Sequence, residues 1–586
     1  LRGEYSQPNG SHEMAKATDS RRQSPSISFV PANHAAQALL PILLWPGILI
    51  AVVFTSYIPA LGAGMVWDDD VFFFKNRLLQ GPEALWHIWT GNGLADFLPL
   101  TLWSLWLEAR VWGTHLAGYH ATNVLLHALN ALLLWRVLER LRVPGAFIAA
   151  LLFAVHPVNV ASVAWLTERK NTLSLLFYLL SMDFFFRFDE KHARHAWAAS
   201  LLFFVCACLS KGSTVVLPPI LLLLLWWRHG RITRRDALSV VPFFIVALAF
   251  GWLTMHFQYT RAAEVANYRP EGMVSRVAAA GWAIWFYLYK VIAPVHLLMV
   301  YPRWEVRLGV VAFLPLLAII SGLILLFRFK NKGWFVAGAY FILALGPVLG
   351  ILKMAYHRYS LVADHFQYLA IIAPLAVIGA SAHFFLERKS TRRFALAIVV
   401  AVVAVLCILT WQQASRYENE LTLWGYNLKY NPQCWVGHYN RAVVLESTDE
   451  QAAFDEYTAA LRLNPKHAKS WGNRSSIFIH HGQYDRALQD VEQGLSVEHS
   501  ANLLVKRGNI YRLMKQPKAA LDNYNEALLI SKEAPYYYNR GALLLEMGQT
   551  AQAESDFRAA LASDPQYERA AAKLASLHSA VPPRAR

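Results

Sequence analysis

Charge is what this chain has least of. Only 16% of its 586 residues are charged while 56% are hydrophobic, where soluble proteins carry about 25% charged residues. That shortage excludes an ordinary soluble protein. Cysteine is scarce as well: Cys206, Cys208 and Cys407 sit inside apolar segments and Cys434 has no obvious partner, so no disulfide framework is implied. Gly-rich phosphate loops, HExxH and CxxC pairs are missing. Their absence removes soluble-nucleotide binding and makes a nucleotide sugar a poor donor candidate. Residues 1–34 lack the apolar core and cleavage site of a signal peptide; they read as a disordered polar tail on the cytoplasmic side. The first apolar helix is expected to act as an uncleaved signal anchor.

Apolar blocks long enough to cross a bilayer fill residues 35–412 and then stop. The net charge of +16 does not point to nucleic acid, because the basic residues lie in short loops between these blocks. Clusters at Arg136–Arg142, Arg187–Arg194, Arg228–Arg235, Arg328–Lys332 and Arg388–Arg393 recur at every second loop, as the positive-inside bias of membrane proteins requires. The expected fold is all-α: a polytopic bundle of about eleven spans, then a soluble domain on the non-cytoplasmic side. Residues 274–300 are apolar enough to span, but a crossing there would invert the later clusters. They are therefore read as re-entrant or interfacial. A crossing would instead put the soluble domain in the cytoplasm. The long first external loop, 58–119, carries Trp86, Trp89, Trp103, Trp106 and Trp112, residues suited to the membrane interface.

After a linker at 413–433, a helical repeat begins. Ala453, Ala487, Ala520 and Ala553 are each followed seven residues later by Ala460, Gly494, Ala527 and Ala560, with Tyr457, Val491, Tyr524 and Phe557 between. Small residues at both positions let paired helices pack closely, and the large one fills the gap. The pattern resembles the tetratricopeptide repeat. Four repeats and a capping helix over residues 434–580 make an α-solenoid, a protein-binding architecture.

Four clusters could carry chemistry. Asp68, Asp69 and Asp70 follow Trp67 beside the first span, where like charges next to hydrocarbon are costly. One could take a proton from a hydroxyl, and Asp68 with Asp69 could hold a divalent cation; the bland alternative is a solvated loop. His156-Pro157-Val158-Asn159 and Glu168-Arg169-Lys170-Asn171 form the second cluster, in which Arg169 and Lys170 could clamp a lipid phosphate or simply snorkel. Lys211 is the third. Tyr356-His357-Arg358-Tyr359 with Asp364-His365 is the fourth, a second charged wall or an ordinary loop.

The ordered set resembles the GT-C superfamily of polyprenol-dependent glycosyltransferases, and more narrowly the transmembrane and tetratricopeptide-repeat O-mannosyltransferases with their bacterial relatives. The resemblance rests on Trp67-Asp68-Asp69-Asp70, Gly118-Tyr119-His120-Ala121-Thr122-Asn123, the two motifs of the second cluster, Ser210-Lys211-Gly212 and Ala363-Asp364-His365-Phe366-Gln367-Tyr368-Leu369. It implies transfer of a hexose, commonly mannose, from a polyprenyl phosphate to a hydroxyl, with a protein acceptor docked on the repeats. An Asp of the triplet would be the base in an inverting displacement. Arg169, Lys170, Lys211, His156, Arg358 and His365 would serve the donor phosphate. At Asp96-Phe97-Leu98-Pro99-Leu100-Thr101 the chain departs from relatives, which often have His or Arg before Pro-Leu-Thr. Rival readings are a lipid or polysaccharide acceptor, and a non-catalytic membrane scaffold.

Overall fold

A computed structural model describes residues 32–94, 96–261, 271–306, 309–329 and 332–579. Most of the expected polar tail, residues 1–31, lies outside the described residues. The chain is all-helical, with 79% helix and no strand among the described residues. Four helices are long and apolar enough to cross a membrane: Leu116–Arg140, Arg234–Gln258, Val310–Arg328 and Arg392–Ser415. A fifth arises if the pair Ala146–Ala154 and Pro157–Ala164, bent by 51°, counts as one span. Leu44–Ser56, Arg194–Ser210, Lys332–Val348 and Ile372–Glu387 are apolar but shorter. By length and composition the described residues therefore give four or five spans where about eleven were expected. Leu44–Ser56 closes the 25-residue helix Ala32–Ser56, and helix Arg169–Lys191 is 23 residues long but carries charges at both ends. Residues 274–300 begin with one unbroken helix, Met273–Ile292. Its alanines 278, 279, 280 and 283 are buried, and Trp282, Trp285 and Tyr289 are exposed.

Two glycines set how closely these helices approach. Gly145 has φ of +67°, and a Cβ there would lie 2.1 Å from the Gly379 carbonyl oxygen. A Cβ on Gly379 would in turn meet the Ala149 nitrogen at 2.9 Å. This seam holds helix Ile372–Glu387 against helix Ala146–Ala154, so the turns that flank both, 364–367 and 157–168, come together.

Beyond residue 412 the apolar pattern ends, but the packing does not. The expected linker contains helix Glu420–Tyr430, whose Trp424 is fully buried in the same core as the apolar helices. Four helix pairs follow: Trp435–Leu445 with Glu450–Leu463, Ala468–His480 with Tyr484–Val497, Ala501–Leu513 with Pro517–Ile530, and Ala534–Glu546 with Thr550–Ser563. Helix Glu568–Ser579 closes the stack. Ala453, Tyr457, Ala460, Ala487, Val491, Ala520, Tyr524, Ala527, Ala553, Phe557 and Ala560 are all fully buried, the small–large–small pattern read from the periodicity.

Candidate functional site

The acidic triplet begins with strained backbone. Trp67 has φ of +56°, a left-handed conformation that costs an L-residue roughly 1–2 kcal/mol. Packing holds it there. Its ring stacks on Trp165 at 5.4 Å and 4°, and takes edge contacts from Tyr359 at 5.2 Å and Trp424 at 5.3 Å. Its N–H donates to Glu420 Oε1 at 2.8 Å, and the neighbouring Gly64 N–H donates to the Glu418 carbonyl at 2.8 Å. The bend therefore leans on the helix that leads into the repeats.

The bend sends the three carboxylates to different places. Asp69 is buried and accepts two backbone N–H bonds, from Val66 at 3.0 Å and from Thr167 at 2.8 Å. It staples the bend to the turn Leu166–Glu168. Burial, and then Asp68 beside it, push its carboxyl up to about 8. Asp68 is half-buried, accepts from the Thr167 hydroxyl at 3.3 Å and lies within electrostatic reach of Lys170. Burial raises its carboxyl too, against the pull of Lys170. Asp70 turns away, pairing with Lys75 at 2.6 Å.

Glu168 is the centre of the basic side. It is 1% exposed and pairs with Lys170 at 2.7 Å and Lys211 at 3.8 Å. Burial works against its charge, but Lys170 above all, with Lys211, holds its carboxyl at about 2. Lys211 also donates to Asn171, whose amide reaches the Glu168 carboxylate, the Ser162 hydroxyl at 3.1 Å and the His365 carbonyl at 3.2 Å. Burial pushes the Lys211 ammonium down to about 8. Lys170 Nζ lies 5.8 Å from the ring centres of both Phe72 and Trp165. Asp96 faces both lysines electrostatically and accepts from Gln258 at 2.7 Å. His365 is buried with its ring edge on Trp165 at 5.4 Å; burial drives its imidazole down to about 3, so it stands neutral. Asp68, Asp69, Asp96, Glu168, Lys170, Lys211 and His365 thus form one constellation from five separate stretches of chain. It is tightly packed: the cavity beside Lys211 and Asn171 is about 20 Å³. A cavity of about 410 Å³ lies toward the Leu141, Trp227 and Phe384 end of the helices and is apolar.

Three expected phosphate ligands do not join this group. Arg169 is fully buried, pairs with Glu108 at 2.7 Å and donates to the Tyr119 carbonyl at 2.8 Å. Consecutive residues at a helix start point about 100° apart, so Arg169 and Lys170 diverge. His156 is buried, donating from Nε2 to the Val291 carbonyl at 3.0 Å. Arg358 lies over the Tyr359 ring at 4.6 Å and within electrostatic reach of His467 in the repeats. In the fourth cluster, Asp364 faces Tyr301, whose hydroxyl donates at 2.8 Å. Asp68 and Asp69 gather no third metal ligand among the described residues. Among the described residues the one such grouping is Asp189, His229 and Asp236, at the far end of helix Arg169–Lys191, about 30 Å away at 1.5 Å per residue. Sequence reasoning missed Asp96, Asn171 and Glu420. The first two lie in motifs it quoted; Glu420, 353 residues from Trp67, left no local signal.

Residues 96–256 match the family described as dolichyl-phosphate-mannose-protein mannosyltransferase, and residues 456–489 and 534–567 match tetratricopeptide repeats. The chain is 22% identical over 455 residues to "Protein O-mannosyl-transferase F38B6.6" of Caenorhabditis elegans, covering 72% of this chain and 63% of that protein. It is 34% identical over 128 residues to "Protein O-mannosyl-transferase TMTC1" of Mus musculus, covering 19% of this chain and 14% of that protein. The chain thus spans less than two thirds of the length of these curated relatives. Among solved structures, "YrrB: a TPR protein with an unusual peptide-binding site" aligns with 27% of this chain and 82% of its own, at 21% identity and TM-score 0.23. A mannosyltransferase-like region followed by tetratricopeptide repeats agrees with the resemblance drawn from the motifs.

Proposed function

We propose that this chain is a membrane glycosyltransferase that moves a hexose, mannose by its resemblance, from a polyprenyl phosphate to a Ser or Thr hydroxyl of a protein docked on its repeats. The observation that carries this reading is the single constellation in which Asp68 stands across from Lys170, with Asp96 facing Lys170 and Lys211 and both lysines anchored by Glu168. A transferase with a phosphate leaving group needs a base on one side and fixed positive charge on the other.

In this mechanism the acceptor oxygen attacks the anomeric carbon as the bond from that carbon to the phosphate oxygen breaks. The hydroxyl proton goes to Asp68, and configuration inverts. Lys170 and Lys211 take the charge that develops on the departing phosphate. Asp69 is a positioning residue, because both its oxygens are spent on backbone N–H groups. Arg169 braces helices Pro99–Trp112 and Leu116–Arg140 through Glu108 and Tyr119.

The sidedness follows the same helix. Arg136, Arg140 and Arg187 pair with Asp183 at 3.2, 2.9 and 2.6 Å near its far end, which supports a cytoplasmic end there and the site on the non-cytoplasmic face. The test is a transfer assay with the purified chain in lipid, polyprenyl-phosphate mannose, and either a Ser/Thr-rich protein or a glycolipid as acceptor. Mannosylated protein is expected. Sugar appearing only on the glycolipid would favour the lipid-acceptor reading, and no transfer to either acceptor would favour the scaffold.

A further inference from the structure

The repeats carry an arginine ladder, and one rung differs. Arg441, Arg474, Arg507 and Arg540 recur every 33 residues, each on the first helix of its pair. Three are neutralised by a carboxylate on the second helix of the same pair: Arg441 by Glu456 at 2.8 Å, Arg474 by Asp490 through two bonds of 2.8 Å, and Arg540 by Asp556 at 2.6 and 2.8 Å. In the third repeat the matching position is Asn523. Arg507 donates to its neutral amide oxygen at 2.6 Å. The nearest acid, Glu526, stands at 3.7 Å, is 43% exposed in its side chain and is shared with His499 at 3.1 Å.

The residue before each arginine shows the same exception. It is Asn440, Asn473 and Asn539 in the other repeats but Lys506 in the third. Lys506 is half-buried, and its ammonium donates to the Ser476 hydroxyl at 2.6 Å. Among the described residues no carboxylate lies within ion-pair distance of it. Glu446, within electrostatic reach, accepts the Tyr457 hydroxyl instead. Both departures, Asn to Lys and acid to Asn, make the same rung more positive.

Lys506 also faces the inside of the curve. The first helices of successive pairs, Ala468–His480, Ala501–Leu513 and Ala534–Glu546, pack closer to one another than the second helices do, which puts them on the concave side. Lys506 reaches across the seam between the first two of these to Ser476. One repeat to either side, Asn473 and Asn539 offer neutral hydrogen-bonding groups on the same line.

We propose that Lys506 and Arg507 form an anion subsite on the concave face of the solenoid that takes an Asp or Glu side chain of a docked, extended polypeptide. This rests on the reading of the repeats as a polypeptide-docking surface, but not on the transferase chemistry. A charge partly withdrawn from water with no acid of its own is best satisfied by one that arrives with a ligand. The neutral amides on both sides suit a chain that carries its acid at one point rather than a uniformly anionic surface.

The test uses the full chain in detergent and fluorescein-labelled Gly/Ser decapeptides bearing either paired Glu or paired Gln at the centre, read by anisotropy at low salt. The Glu peptide is expected to bind about tenfold more tightly, the scale of one added charge-assisted hydrogen bond. Lys506→Asn should abolish that preference and Asn523→Asp should weaken it, with Gln-peptide binding and helical circular dichroism unchanged. Both variants restore residues the other repeats already use, so both should fold. Equal binding of the two peptides, or a preference that survives Lys506→Asn, overturns the subsite. Binding of neither peptide removes the docking surface as well, while transfer to a small hydroxyl acceptor would still report on the catalytic reading. If Lys506→Asn lowers flotation with phosphatidylserine vesicles and leaves peptide binding untouched, the anion is a lipid headgroup and the proposal falls.

Discussion

The solenoid and the charged site solve opposite problems. In the repeats every structural residue has a partner within a few tens of positions, so the same solution recurs four times: Ala453 with Ala460, Ala487 with Gly494, and so on. At the site nothing repeats. Asp69 is fixed by Thr167, Trp67 by Glu420, and Lys211 by Asn171. The first region tolerates the loss of one unit's detail; the second depends on single contacts between distant stretches. Packing dominates one and electrostatics the other, and their variants should separate cleanly.

The sharpest separation should come from Asp68→Asn, which removes the base. Transfer should fall about 1,000-fold in a donor-saturated assay, with the thermal unfolding of the repeats unchanged. If transfer persisted, Asp68 would not be the base. Replacing Lys170 and Lys211 together with Met should cost about 100-fold in kcat/KM for the lipid donor. Lys211 alone offers a finer reading. Its ammonium is pushed down to about 8 by burial, so it loses its proton above that pH and kcat/KM should decline there. Lys211→Arg, always charged, should remove that decline.

Gly508→Val tests the other region. A Cβ at Gly508 would sit 2.6 Å from the Tyr524 ring, so the added methyls should destabilise the solenoid by about 2 kcal/mol, read by denaturant unfolding. Transfer to a small hydroxyl acceptor should survive while transfer to a protein acceptor drops. The smallest effect probes the joint between the two. Glu420→Leu removes the acceptor for the Trp67 N–H and should slow transfer about tenfold, since this contact only orients the bend. Glu420→Gln, which keeps an oxygen there, should come close to the unaltered rate. Equal rates for the two would disconnect the bend from the repeats.

What was legible followed from range. The buried residues of the solenoid were visible as a period because neighbouring repeats impose the same packing at a fixed spacing. Among the site residues, Asp68, Lys170, Lys211 and His365 were singled out by charge or motif, and all four converge. Arg169, His156 and Arg358 carried the same signal and went elsewhere. Sequence records that a charge is present near an apolar segment; it does not record which way a helix start turns that charge. The 51° bend between Ala146–Ala154 and Pro157–Ala164 left as little trace, because hydropathy registers apolar length and not where a turn interrupts it.

Alone, the sequence determined that the chain is largely apolar helix ending in a regular stack of paired helices, because both properties are written in composition and in short periods. The tertiary structure decided that Asp68 faces Lys170 while Asp96 faces both lysines, that Glu168 is their anchor, and that the helix before the repeats clamps the Trp67 bend. Most of those outcomes depend on contacts that span from 40 to 353 positions of chain, where burial amplifies every charge and backbone geometry sets its direction.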